Sequence, residues 1–237
     1  MPDNIGPKLI SVVASEATVL TLTFDERIEN ALPSPAQFTV VPFVAIQTVE
    51  FADTSLKRLT LLLSAEIDPR ETYTLTASGI DDCSGNQLQA EFSSASFVLP
   101  QKANPGDMIV NEILFNPRVT GVDFIEIYNR SEKTIDLKGW QIRNVQSQSG
   151  KNMTVVSPEH ALIAPGEYRV FTESTEVLKG EYVAGNEQAF RESDLPGFND
   201  DEGSAVLSDS EGAVIDSMNY SAEMHSPFLK TKEGVSL

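Results

Sequence analysis

Two glutamates interrupt apolar, alternating runs of this chain: Glu112 in MIVNEILFNP and Glu126 in FIEIYNRSEKTIDLKGWQI. Paired carboxylates can divide general-acid and general-base work, and separations of about 5–10 Å suit glycoside hydrolysis. The same residues can instead belong to the building of a sheet. In an alternating strand Phe124, Glu126 and Tyr128 share one face, while Ile125, Ile127 and Asn129 share the other. If the isoleucines pack inward, Glu126 points outward. Asn111 and Asn129 then face inward, where amides satisfy free backbone groups. Glu112, Glu126 and Asn129 are therefore read as structural, and no catalytic residue is assigned. Gly139 lets the backbone turn, and Trp140, the sole tryptophan, covers one end of the core, with sugar stacking as the alternative role.

The densest acidic run is Asn199-Asp200-Asp201-Glu202, followed by Gly203. Calcium takes several oxygen ligands from loops of this composition, so these four residues are the candidates for a cation. Adjacent carboxylates cannot all point at one ion, however, and the spaced Asp-x-Asp-x-Asp pattern with a distal Glu is absent. No metal site is assigned; a solvated loop or a strand start is the expected form, and calcium stays open as a ligand. Asp81-Asp82 beside Ser84-Gly85-Asn86 reads as a turn first and a cation site second. Cys83 lies in that turn, while the two histidines, His160 and His225, lie in the other half of the chain. No G-x-S-x-G, Gly-rich phosphate loop, C-x-x-C or H-E-x-x-H occurs. No cofactor is expected.

The elements that must carry these residues are strands. Residues 8–99 hold seven short runs: KLISVVA, TVLTLTF, QFTVV, VAIQTVEF, RLTLLLS, TYTLTASGI and SASFVL. Prolines fall between the runs, where they break no ladder. Seven runs with turns every 8–12 residues or so is the pattern of an immunoglobulin-like sandwich, here without a Cys…Trp…Cys signature. PQKANPG, residues 100–106, reads as a short, stiff linker. Residues 108–237 alternate again, with Pro165-Gly166 as a turn dipeptide and STEVLKGEY as a short helix capped by Ser174 or Thr175. One helical turn is expected from Asn186, then a hairpin around Ser210-Glu211-Gly212, and KEGVSL ends the chain as a strand-like tail.

Of the 237 residues, 17 are basic and 35 acidic, giving −18. Residues 1–103 carry 6 basic and 13 acidic groups (−7), and residues 104–237 carry 11 and 22 (−11). Both halves repel phosphate backbones and anionic membranes, which excludes nucleic acid as a default partner. No apolar run approaches the roughly 18 residues of a membrane span. With one cysteine no internal disulfide can form.

Two resemblances rest on these runs. TYTLTASGIDDCSGNQL and TVLTLTFDERI resemble bacterial Ig-like domains of surface-layer and other cell-surface proteins, over about residues 7–99. VNEILFNP, DFIEIYNRSEKTIDLKGWQI, LIAPGEYRVFT, NDDEGSAVLSDSEGAVIDSMNY and EGVSL resemble, in that order, the lamin-tail domain in its bacterial secreted form. The second resemblance implies a compact Ig-like sandwich whose LIAPGEYRVFT forms a Pro-Gly hairpin. It also implies a binding or structural module of larger exported proteins, sometimes beside hydrolase domains, and it supplies no catalytic set. The related domain of nuclear lamins binds proteins and nucleic acid weakly; the acidity here counts against the latter.

The expectation is an all-β chain of two tandem immunoglobulin-like β-sandwiches. They would span residues 7–99 and 108–237, joined by a short Pro/Gly linker at 100–107. The expected function is a non-catalytic spacer and interaction module, for adhesion or binding, of an exported bacterial cell-surface protein. Its partner would be a protein or surface glycan, without membrane insertion, and the chain would be a monomer. Such a chain would be a piece of a longer protein whose export signal has been trimmed. The alternative is the accessory or targeting region of a secreted hydrolase, dependent on carbohydrate or calcium.

Overall fold

Alternation in the first half becomes seven strands in the computed structural model, which describes residues 3–145, 152–182 and 186–237. They are β1 (Leu9–Glu16), β2 (Val19–Phe24), β3 (Phe38–Val41), β4 (Ile46–Phe51), β5 (Arg58–Leu63), β6 (Tyr73–Ala77) and β7 (Ser94–Phe97). One sheet runs β1-β2-β5-β4 and the other β3-β6-β7, each antiparallel. Leu20, Leu22 and Phe24 of β2 are buried, whereas Val19, Thr21 and Thr23 are half-buried, the period-2 signature of a strand with one core face. Leu59, Leu61 and Leu63 of β5 meet them in a core that also takes Val40, Leu75 and Phe97 from the second sheet.

The chain forms two compact units, residues 1–100 and 101–237. Residues 101–107, expected to be a linker, are hydrogen bonded within the second unit. The Gln101 amide donates to Thr134, the Gly106 amide donates to Ile215, and Ala103 is buried in that unit's core.

Ten strands build the second unit: β8 (Met108–Leu114), β9 (Phe124–Asn129), β10 (Ile135–Asp136), β11 (Gln141–Arg143), β12 (Met153–Val155), β13 (Leu162–Ile163), β14 (Tyr168–Thr172), β15 (Phe190–Glu192), β16 (Glu202–Ser208) and β17 (Val214–Ser221). A sheet β12-β11-β16-β17 faces a sheet β15-β14-β9-β8, with a small pair β10-β13 beside them. Ile113, Ile125, Ile127 and Phe171 of one sheet pack with Ile142, Ala205, Leu207 and Ile215 of the other. The fold is thus all-β with two Ig-like units.

Pro165-Gly166 does not close a hairpin. β13 pairs with β10, whereas β14 pairs with β9, so the turn carries the chain from one sheet to another. The hairpin at Gly212 does form, with Gly212 at φ +83°. The KEGVSL tail gains no assigned strand, but Leu237 exchanges two backbone hydrogen bonds with Ile113, at 2.9 and 3.0 Å. Among the described residues no helix is long and apolar enough to cross a membrane.

Candidate functional site

The carboxylate pair arises from a β-bulge. On β8, Met108 and Val110 face the core opposite Asn129 and Ile127. Between Val110 and Glu112 the register shifts, so Asn111 is an extra residue without an opposite number. Beyond it the parity of β8 inverts: Ile113 enters the core against Ile125, and Glu112 turns to the other face directly across from Glu126. A bulge re-aims a side chain in this way. Asn111 is consequently exposed, not inward as its alternation suggested, and its amide donates to Glu126 Oε1 at 2.8 Å.

The face carrying both glutamates is partly covered. Helix α1 (Thr175–Glu181) begins at Ser174, whose Oγ accepts the Val177 amide at 3.3 Å. Leu178 of this helix lies over Leu114, Phe124 and Val170 and forms with them a second, smaller core. The 3-10 turn Glu187–Ala189, capped by Asn186, leads into β15, which adds in parallel to β14. Between these pieces and the strands lies a cavity of about 480 Å³. Phe124, Val170, Leu178 and Phe190 supply apolar lining, and Tyr168 and Tyr182 add two more aromatic rings. Glu112 and Glu126 supply the polar floor, with Ser236 beside them. Tyr168 stacks on Tyr128 at 4.5 Å between centroids, which fixes its ring.

Burial pushes the Glu126 carboxyl above its ordinary value, the Asn111 amide pulls it down, and the charge of Glu112 pushes it up again. Glu112 Oε1 accepts from the Ser236 hydroxyl. Neither Oε2 has a hydrogen-bond partner, and neither glutamate makes an ion pair, among the described residues. Two cations stand over rings of the cavity wall but pair with other carboxylates. Arg118 lies 3.6 Å from Glu181 and over the Tyr182 ring, and Lys179 lies 3.5 Å from Glu187 and over Phe190.

The other residues singled out in the sequence take structural positions. Asn129 is fully buried: its amide donates to Lys133 and Ile163 carbonyls at 2.7 and 3.0 Å, and its Oδ1 accepts from the Ser131 amide and hydroxyl. Gly139, at φ +75°, makes the turn that seats Trp140, which is 3% exposed in the core. A Cβ at Gly139 would stand 3.0 Å from the Ser210 Cβ.

The 199–202 run is a strand approach. The Asn199 amide donates to the Tyr220 hydroxyl at 2.9 Å, Asn199 Nδ2 donates to the Glu202 carbonyl, and Asp201 Oδ1 accepts the Glu202 amide. Gly203 is needed there because a Cβ would meet the Tyr220 hydroxyl at 2.2 Å. Three carboxylates do come within 4.8 Å of one another elsewhere: Asp3, Glu26 and Asp82. Asp82 is buried in the Asp81–Asn86 turn. Burial alone would raise its carboxyl, but the Asn86, Ser84 and Gly85 donors hold it below the usual range. Cys83 is exposed in that turn of the first unit. In the second unit, His160 contacts Asp136, and His225 is buried between the Ala222 and Val235 carbonyls.

Sequence reasoning missed Asp123, one position before β9. Burial pushes its carboxyl from 3.8 to about 7, with Asp200 and Glu173 adding to the rise. It also missed the pocket walls on α1 and β15, because the helical apolar pattern is only one turn deep.

Residues 101–222 match the family model of the Lamin Tail Domain, and residues 4–98 match that of a Bacterial Ig-like domain. Among solved structures, the N-terminal part of the bacterial S-layer protein SbsC is 16% identical over 73% of this chain and 42% of that one, with a TM-score of 0.39. A second SbsC structure is 12% identical over 91% of this chain and 40% of that one, with a TM-score of 0.37. The chain thus spans about two fifths of the length of these structures. No curated protein matches it. With its model matching over half of the chain, the family is established: the chain belongs to the Lamin Tail Domain family and carries a bacterial Ig-like domain ahead of that domain.

Proposed function

We propose that the chain is a non-catalytic spacer and interaction module of an exported bacterial cell-surface protein. Its lamin-tail and bacterial Ig-like domains support this reading, since rigid sandwiches project loops and faces for contact. One observation carries it further. Glu112 and Glu126 are cross-strand neighbours on one floor, so both approach a ligand from the same side. Glycoside hydrolysis instead needs carboxyl groups flanking the scissile bond. A floor of two carboxylates under apolar walls is suited to holding a group.

A second reading, the accessory or targeting region of a secreted hydrolase acting on carbohydrate, is favoured by the raised Glu126 carboxyl inside a cavity. Turnover separates the two. The purified chain is incubated with a panel of chromogenic glycosides beside its Glu126→Gln variant. The module reading expects no turnover above that of the variant. Turnover that Glu126→Gln abolishes would replace it with the second reading.

A further inference from the structure

We propose that the cavity beside β9 is a docking site for an arginine side chain presented by a basic segment of a partner protein. The proposal deepens the interaction-module reading and rests on it. Its first support is an electrostatic conflict within the sheet. Like charges at directly opposite positions of an antiparallel pair destabilise it, yet the bulge at Asn111 sets Glu112 across from Glu126. Asn111 and Ser236 relieve it in part through one hydrogen bond each, but no cation pairs with either glutamate among the described residues, Arg118 and Lys179 being paired with Glu181 and Glu187. A cation in the cavity would relieve it. Places where a local rule is broken with only partial internal compensation are where function is expected.

The second support is the number and position of free acceptors. Asn111 and Ser236 each hold one oxygen of the pair and fix the two side chains. The second oxygen of each has no hydrogen-bond partner among the described residues, and both residues line the cavity. A guanidinium carries five N–H donors in a rigid fork, is less strongly hydrated than an ammonium and always stays charged, so it can bridge two such oxygens at once. The third support is the walls. Phe124, Val170 and Leu178 offer apolar surface to a methylene stem. Phe190 and Tyr182 complete these walls and carry the chain's own Lys179 and Arg118 over their rings, at 5.4 and 5.5 Å. Finally, the formal charge of −18 steers basic partners toward the chain.

The test is calorimetric titration with three short capped peptides that differ at one position: arginine, its neutral isostere citrulline, and lysine. Each is titrated into the full chain and into the Glu112→Gln/Glu126→Gln variant. Retained thermal unfolding of Trp140 fluorescence establishes that the variant folds. A second variant, Glu132→Gln/Glu211→Gln, removes the same charge from exposed positions outside the cavity. The arginine peptide should bind saturably. Citrulline or the cavity variant should each weaken it by about tenfold or more, lysine should weaken it less, and the outside variant should leave it within about twofold. No saturable binding of the arginine peptide would overturn the proposal. So would equal binding of citrulline, tighter binding of lysine, or equal losses in the two variants. None of these results touches the module reading, which falls on turnover instead.

Discussion

Asp123 should make the second unit lose stability as pH rises. It stands just ahead of β9, where burial lifts its carboxyl from 3.8 to about 7, helped by Asp200 and Glu173 and opposed by a backbone donor at Phe198. The folded chain therefore keeps a proton that the unfolded chain releases between about pH 4 and pH 7. A group raised in this way gives its full stabilisation below the unfolded value and loses it as pH climbs through the folded one. A rise from 3.8 to about 7 corresponds to ~4 kcal/mol at 1.36 kcal/mol per tenfold. Asp123 is half-buried, so solvent screening reduces the expected loss to about 2–4 kcal/mol. Asp123→Asn keeps the shape and cannot ionise. It should match the wild type near pH 4 and exceed it by about 2–4 kcal/mol at pH 8. Urea unfolding followed by Trp140 fluorescence reads this unit specifically, because Trp140 lies in its core. Asp107 works in the opposite sense. Burial raises it, but Asn104 and Lys133 hold it below the usual range, so its contribution disappears in acid and cancels between wild type and variant. Parallel pH dependence of the two proteins would refute the reasoning.

Three further substitutions probe the same unit. Glu126→Gln removes the like-charge pair while keeping an oxygen for Asn111, and should stabilise the fold by about 0.5–1 kcal/mol at pH 7 in urea melts; a loss of stability would contradict the conflict described at Glu112. Asn129→Ala leaves the Lys133 and Ile163 carbonyls without their buried donor and should cost about 2–4 kcal/mol, so an unfolding midpoint equal to wild type would count against it. Gly139→Ala forces a Cβ at φ +75° toward Ser210 and should cost about 1–2 kcal/mol by the same measurement.

What the sequence showed most clearly was anything governed by period two. The inward set Ile125, Ile127 and Asn129 follows from alternation alone, and so does the buried set Leu20, Leu22 and Phe24. The turn at Gly139 was equally legible, because glycine takes a positive φ without steric cost, and Trp140 follows it into the core. The site was harder to see. A bulge adds one residue without changing composition, so the inversion that brings Glu112 beside Glu126 leaves no mark in MIVNEIL. Phe124 sits on the outer face of β9 and still is buried, because Leu178 arrives from a helix about fifty positions later. The parallel addition of β15 to β14 likewise depends on a crossover, which local pattern does not encode. Pro165-Gly166 announced a turn correctly but not which sheet the chain would join after it.

The central claim is that this chain works at the cell surface, and protease shaving of intact producing cells tests it most directly. Peptides from both units should be released before lysis while a cytosolic marker stays whole. Exposed stretches such as those around Phe43 and Val119, 86% and 96% exposed, would be cut first. A chain that stays protected until the cells are lysed would contradict the account.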